Sequence, residues 1–478
     1  MYQKFGLFIG GSWTGASGGA TAAVISPVTE KPLGEAPVAS RADTEAAIAA
    51  AERGLAVWRA KSAFERADAL HAIADEMIRR KDEAARMIST ETGKPIAQGE
   101  REWGLSCDQF RWYAEEARRI YGRIVESRVP GGRFEVTREP IGIVAAFTAW
   151  NFPAALVARK VAPALAAGCS VIVRPSSQTP GTAMVLVDCC RAGNLPDGVV
   201  NLVVGPTAAT YEPIMASALV RKVSLTGSTR VGQQMIRDAA DTMKKVTMEL
   251  GGNAPLIVYD DADLEAALTV SVPTKYANAG QVCVTADRFF IHESLHDAFV
   301  DGFAERAGAL KLGDGLDPSV QMGPVINGRR RSEIEGVIAD AVKAGARVVA
   351  GGGRASAFNA GFFLEPTVLA EVTDDMKVFA EENFGPIAAI TRFRDEDEVL
   401  ARANAGEMGL SAYAFTRSPE RARRTVAALE AGMVGINSFA LAASEAPFGG
   451  TRYSGMGREG GSEGIADYLD TKLAQIVF

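Results

Sequence analysis

The chain of 478 residues reads as an α/β protein built from two successive parallel-sheet units and a small β-arm. Three observations predict this. Short Val- and Ile-rich runs alternate with helical stretches from residue 139 onward, the pattern of strands joined by crossover helices. The alternation restarts after Gly251-Gly252, which marks a junction. Two stretches, 121–138 and the tail, break the rhythm and read as strands that extend away from the core.

In chain order, 43–60 predicts an amphipathic helix in the N-terminal region. Residues 141–147 form a strand that runs into the loop Asn151-Phe152-Pro153. Residues 154–167 are Ala-rich and helical, with Pro163 as an expected irregularity. Ser170-Val171-Ile172-Val173 is a strand by its β-branched content, and Pro180 opens the next helix. Strands follow at 199–204 and 222–225, the latter ending at Thr226-Gly227-Ser228-Thr229. In the second unit, 255–259 is a strand, 263–279 a helix and 288–291 a strand. The pattern continues through Ala414-Phe415 and Gly435-Ile436. Pro130-Gly131-Gly132 centres the arm.

The chain is 47% hydrophobic and 23% charged, ordinary values for a soluble globular protein. Its net charge of -7 argues against a nucleic-acid partner. No apolar window suits a membrane span and the N-terminus lacks a secretory pattern, so the expected location is cytoplasmic. Cys107, Cys169, Cys189, Cys190 and Cys283 make neither a disulfide framework nor a Cys-x-x-Cys pair. His71, His292 and His296 show no zinc pattern, so no metal is expected.

Two strings carry the chemistry. Cys283 ends Asn278-Ala279-Gly280-Gln281-Val282-Cys283, a turn that can expose its sulfur and aim N–H groups at it, favouring thiolate. A buried cysteine is more often an apolar filler, but the other four have no such setting. Glu249 precedes Leu250-Gly251-Gly252, whose missing side chains allow close backbone approach. With no histidine beside the cysteine, a thiol nucleophile and a carboxylate base are the expected pair. The only Gly-x-Gly-x-x-Gly, 455–460, lies too near the C-terminus to head a dinucleotide-binding unit. Thr226-Gly227-Ser228-Thr229-Arg230-Val231-Gly232, at a strand-to-helix junction, suits a pyrophosphate better.

These strings resemble the active-site signatures of the aldehyde dehydrogenase superfamily. The resemblance runs from Phe8-Ile9-Gly10-Gly11 to Pro447-Phe448-Gly449-Gly450 and Asp467-Tyr468-Leu469. It implies an aldehyde dehydrogenase-like fold. A Rossmann-like NAD(P)-binding domain would span 1–120 and 139–250, and an α/β catalytic domain 251–449. An oligomerisation arm and tail would take 121–138 and 450–478. By the same resemblance, Cys283 forms a thiohemiacetal and then a thioester. Asn151, in Thr148-Ala149-Trp150-Asn151-Phe152-Pro153, holds the oxyanion with the Cys283 N–H, and Glu249 activates the deacylating water. The implied cofactor, NADP or NAD, would meet Thr148, Trp150, Arg174, Ser177, Gly227, Ser228, Leu250, Glu382 and Phe384. The implied assembly is a homodimer or homotetramer.

The succinate-semialdehyde dehydrogenase branch is the most similar in appearance. There an arginine like Arg159, eight residues after Asn151, grips the substrate carboxylate; the plain alternative is a helix-surface residue. Three positions depart from the resemblance. Arg174 replaces a usual lysine, and Ala277 replaces that branch's second arginine. Thr285 replaces a cysteine often found beside the nucleophile. Arg174-Pro175-Ser176-Ser177 lacks the glutamate that repels a 2′-phosphate, so NADP should be accepted well. The expected substrate is a short semialdehyde acid such as succinate semialdehyde. The alternatives are uncharged aliphatic or aromatic aldehydes, a CoA-acylating enzyme, or a non-catalytic structural member of the fold.

Overall fold

The computed structural model describes residue 2 and residues 4–478. Its first sheet has eight strands in the spatial order Ser12–Thr14, Leu7–Ile9, Val200–Leu202, Ser170–Arg174, Ile143–Phe147, Val220–Thr226, Lys245–Glu249, Gly455–Met456. Five neighbouring strands are parallel; the antiparallel pair Leu7–Ile9 and Ser12–Thr14 closes one side, and the single antiparallel strand Gly455–Met456 the other. The chain starts this parallel set at Ile143–Phe147, adds two strands on one side and two on the other. The order therefore reverses between Ile143–Phe147 and Val220–Thr226, where crossover helices part and leave a crevice.

The second sheet runs Arg347–Ala350, Thr367–Ala370, Ile387–Phe393, Ala286–His292, Ala254–Val258, Ser411–Phe415, Met433–Ile436. All its pairs are parallel except the first. The chain leaves the first sheet at Glu249 and enters the second at Ala254. The carboxyl edge of one sheet therefore meets the amino edge of the other across Gly251-Gly252.

Helix ends follow local chemistry. Arg41–Trp58 and Ala63–Arg79 begin with reciprocal capping boxes, Ser40 with Asp43 and Ser62 with Glu65. Ala155–Ala167 runs through Pro163, and Pro180 occupies the first turn of Pro180–Cys190. Helices Ala63–Arg79, Ile96–Ala117, Ala155–Ala167 and Pro180–Cys190 bury a common core against the first sheet. Under the second sheet, Phe289, Phe299 and Phe303 pack with tilted and edge-on rings. No helix among the described residues is long and apolar enough to cross a membrane.

A third sheet projects from the body: Arg123–Glu126, Gly132–Pro140 and Leu469–Val477, all antiparallel. Of the tail from residue 450, only this last strand belongs to the arm. Gly455–Met456 joins the first sheet, while Ile465, Tyr468 and Leu469 lie in its core.

Candidate active site

The helix expected over 263–279 stops at Tyr276. Asn278, Ala279 and Gly280 then turn left-handed, with φ of 49°, 54° and 71°. Such backbone costs a residue other than glycine about 1–2 kcal/mol. Side chains tie the turn together: Asn278 Nδ2 donates to Gln281 O (3.2 Å), and Gln281 Nε2 donates to Asn278 O (2.8 Å). At position 280 a Cβ would stand 2.0 Å from Gly385 O, so only glycine fits. Across from the turn, a Cβ on Gly252 would lie 2.6 Å from Cys283 O. Bare backbone after Glu249 thus lets the two signature strings close on each other.

Cys283 is half-buried beside Leu410, Met433 and Phe448. Its thiol is pushed up to about 12, first by burial and then by the negative charges of Glu382 and Glu249. Arg159 and a backbone N–H oppose that shift without cancelling it. The expected resting thiolate is therefore corrected: the turn's N–H is outweighed by an apolar wall and two carboxylates.

Glu249 is buried, and neither carboxyl oxygen has a hydrogen-bond partner. Burial and the charge of Glu459 raise it well above the usual carboxylate range, with Lys160, Arg159 and Arg458 opposing. A carboxyl held this way takes up a proton far more readily than a solvated one. Asn151 is buried too, and its Nδ2 donates to Gln281 O at 3.2 Å. The same amide has a second N–H to offer.

Arg159 is 7% exposed, so the helix-surface alternative is set aside. Its guanidinium lies 4.5 Å from the ring centre of Phe448, which packs in the Cys283 cluster. Arg159 Nη1 has no hydrogen-bond partner.

The crevice at the strand-order reversal gathers most of the expected cofactor residues. Thr148 donates its N–H to Arg174 O (3.2 Å), and its buried hydroxyl is unpartnered. Trp150 stands edge-on to Phe384, with ring centres 5.6 Å apart. Phe384 is left-handed, with φ of 43°, and Arg330 donates to its carbonyl at 3.3 Å. Glu382 accepts from Gly252 N (3.0 Å), and burial raises its carboxyl to about 7. A cleft of about 600 Å³ touches both Ser228 and Glu382. Ser228 precedes helix Thr229–Ala240 without capping it, which leaves first-turn N–H groups free for an anion. Gly227 N is held by Glu249 O (3.0 Å), and Leu250 packs against Gly232.

A neighbouring cavity of about 430 Å³ is lined by Thr148, Arg174, Tyr211, Arg230 and Arg237. An apolar slot with several cations beside a helix N-terminus fits a dinucleotide. Arg174 is partly committed, since its Nη2 donates to Gly205 O (2.9 Å) and its Nε to Thr210 Oγ1 (3.4 Å). Ser177 is exposed and does not line the cavity. Arg230, which the sequence reading did not single out, lines both spaces.

Sequence reasoning also missed three buried lysine–carboxylate pairs: Lys94–Glu102 (2.7 Å), Lys160–Glu459 and Lys275–Asp287 (2.7 Å). Glu459 belongs to the Gly-x-Gly-x-x-Gly string. There Gly455–Met456 is an edge strand on Lys245–Glu249, and the turn after it returns Glu459 to Lys160 behind the Glu249 carboxyl. The glycines serve a reversal of the chain, not a phosphate.

Residues 13–474 match the model of the aldehyde dehydrogenase family. The chain is 45% identical to a 3-sulfolactaldehyde dehydrogenase of Pseudomonas putida, over 97% of this chain and 95% of that protein. It is 43% identical to the NADP(+) succinate-semialdehyde dehydrogenase GabD of Escherichia coli, over 97% and 96%. The solved succinate-semialdehyde dehydrogenase of Burkholderia pseudomallei superposes with a TM-score of 0.97, at 43% identity, over 99% of this chain and 98% of that one. With two largely parallel sheets meeting at a half-buried cysteine and a buried glutamate, and with a match over nearly its whole length, this chain belongs to the aldehyde dehydrogenase family.

Proposed function

We propose that this enzyme oxidises a short aldehyde bearing a distal anionic group to the corresponding acid, with NADP or NAD as oxidant. The observation that carries the substrate reading is the buried, unpartnered Nη1 of Arg159 against Phe448 in the Cys283 cluster. A fixed cation inside an apolar wall is expensive unless an anion meets it, and a guanidinium matches a carboxylate or sulfonate. Glu249 does not satisfy it, because both its oxygens also lack partners. The names of the relatives, sulfolactaldehyde and succinate-semialdehyde dehydrogenases, support the same substrate class.

In this reading Cys283 Sγ loses its proton and bonds the aldehyde carbon. Asn151 Nδ2 and the Cys283 N–H hold the oxygen that becomes negative; one such donor is worth about 3 kcal/mol in the transition state. A nicotinamide dinucleotide held in the crevice would supply the hydride acceptor, and loss of hydride from the adduct would leave a thioester on Cys283. Glu249 draws a proton from the water that attacks this thioester, and the acid leaves as the thiol reforms. Glu382, Trp150 and Phe384 would hold the nicotinamide end, and Ser228 with Gly227 the pyrophosphate. Thr148, Arg174 and Arg230 would flank the adenosine side, with Leu250 packed at Gly232 beside the helix start. Arg174, Arg230 and Arg237 around one cavity favour a 2′-phosphate, hence NADP.

Residues 1–120 and 139–250 would then serve the cofactor, and 251–449 the aldehyde. The test is absorbance at 340 nm with an aldehyde panel, with and without CoA. Semialdehyde acids should be preferred without CoA. Arg159→Ala should raise KM for them about tenfold or more, in line with a lost charge-assisted hydrogen bond, while leaving butanal nearly unchanged. An equal response of both substrates, or a wild-type preference for butanal, overturns the reading.

A further inference from the structure

The loop that carries Asn151 has little to hold it in its own sequence. It leaves strand Ile143–Phe147 and reaches helix Ala155–Ala167, whose first turn has no side-chain cap of its own. Its anchor comes from elsewhere. Lys94, just before helix Ile96–Ala117, donates to the Asn151 carbonyl oxygen (2.7 Å) and to Glu102 Oε2 (2.7 Å). The other oxygen of Glu102 accepts the N–H groups of Ala154 (2.8 Å) and Ala155 (3.3 Å), where the helix begins. The Lys94 ammonium also lies 4.0 Å from the ring centre of Phe152. Both charged side chains are almost wholly buried, at 0% and 1% exposure. One ion pair therefore grips the loop at its carbonyl, its ring and its outgoing N–H groups.

That grip reaches the nucleophile turn. The Asn151 carbonyl also accepts Asn278 Nδ2 (3.1 Å), and Asn151 Nδ2 donates to Gln281 O (3.2 Å). Gln98, in the first turn of the same helix, accepts the Asn278 N–H at 3.0 Å. Lys94 and the Asn278 amide thus share one carbonyl, whose own side chain is the proposed oxyanion donor.

We infer that Lys94 and Glu102 are positioning residues for hydride transfer: the pair sets the Asn151 amide against the oxygen of the Cys283 adduct by holding its carbonyl and the following helix start. This rests on the oxyanion role proposed for Asn151. A buried charge pair at such a place is a costly way to gain stability alone, since an apolar pair of similar volume commonly does as well. Its geometry is what an apolar pair lacks: a point donor to one carbonyl and a fork of acceptors for two N–H groups. A loss of register of about 1 Å at a reacting centre can cost on the order of 100-fold in rate.

The experiment is a double-mutant cycle on the full-length enzyme, reading the pre-steady-state NAD(P)H burst. The variants are Lys94→Met, Lys94→Arg, Asn151→Ala and the double variant Lys94→Met/Asn151→Ala. Lys94→Met should slow the burst about 100-fold. The Kd for NADP, read by quenching of tryptophan fluorescence, and the rate of Cys283 alkylation by iodoacetamide should change less than about threefold. Lys94→Arg should recover part of the burst. In the Asn151→Ala background, Lys94→Met should cost almost nothing more, because the two act through one amide. Should Lys94→Met alone fail to fold around its uncompensated Glu102, Lys94→Met/Glu102→Gln removes both charges together and serves in its place. Equal, additive losses in both backgrounds, or a parallel loss of cofactor affinity, overturn the positioning role. A normal burst in Asn151→Ala would instead overturn the oxyanion reading beneath it.

Discussion

At the scale of single residues, the site is a set of groups held away from their ordinary ionisation states. Cys283→Ala should remove detectable NAD(P)H formation while leaving cofactor affinity and Tm close to wild type, because the other four cysteines are buried away from this turn. Activity within tenfold of wild type would assign the nucleophile elsewhere. Glu249→Gln should spare the first NAD(P)H burst and slow the following turnover by about 100-fold or more, the range of a lost general base. Two charge effects can be read separately. Glu382 and Glu249 both raise the Cys283 thiol, so Glu382→Gln should lower it and speed iodoacetamide alkylation at pH 8. Unchanged alkylation would deny that coupling. Glu382 itself is raised from 4.5 to about 7, so the folded protein holds its proton more tightly than the unfolded chain. Its contribution to stability is full below about pH 4.5 and is lost as pH rises through about 7. Tm measured from about pH 5 to about pH 8 without cofactor should therefore fall less steeply in Glu382→Gln than in wild type.

At the scale of elements, three segments of the site are backed by buried lysine–carboxylate pairs. Lys94–Glu102 holds the Asn151 loop and Lys160–Glu459 backs Glu249. Lys275–Asp287 holds the loop of Glu382 and Phe384, since Asp287 Oδ2 accepts the Asn383 N–H at 3.0 Å. The alternation of strand and helix was legible because its period depends on local burial, and the Cys283 and Glu249 strings because a turn at a strand end has local chemistry. The pairs were not legible: their partners stand at spacings that no single helix or strand brings together, and a lysine before a helix reads as solvated. The same blindness hid Glu459 inside a glycine string and put the end of the helix before Cys283 three residues late. It also gave Ser177 a place at the cavity that Arg230 lines instead, because Ser177 lies on the loop after the strand and turns outward. On the geometry of that cavity, kcat/KM should favour NADP over NAD, and Arg230→Ala should narrow the difference. A tenfold preference of the wild type for NAD would contradict the reading of Arg174, Arg230 and Arg237.

At the scale of the whole molecule, the arm is the element that the body does not explain. Among the described residues its three strands pair only with one another, with Leu473 opposite Val136 and Val136 opposite Arg123. Tyr121, Ile124, Val125, Leu473, Val477 and Phe478 are all exposed upon it. A two-sided three-stranded ribbon of this composition has too little buried face to be stable alone, and its two outer edges offer unpaired N–H and C=O groups to another chain. Monomeric proteins seldom display such an apolar ribbon, whereas a two-fold partner covers one at no cost in new sequence. We therefore expect a homodimer or a dimer of dimers with the arm at the contact. Sedimentation velocity at micromolar concentration should show no stable monomer. Ile124→Lys with Leu473→Lys places two charges on the ribbon far from the Cys283 turn. This variant should shift the sedimentation toward smaller species and lower Tm, with the hydride burst per remaining folded subunit preserved. A wild-type monomer, or a charged variant that sediments like wild type, would leave the arm without this role.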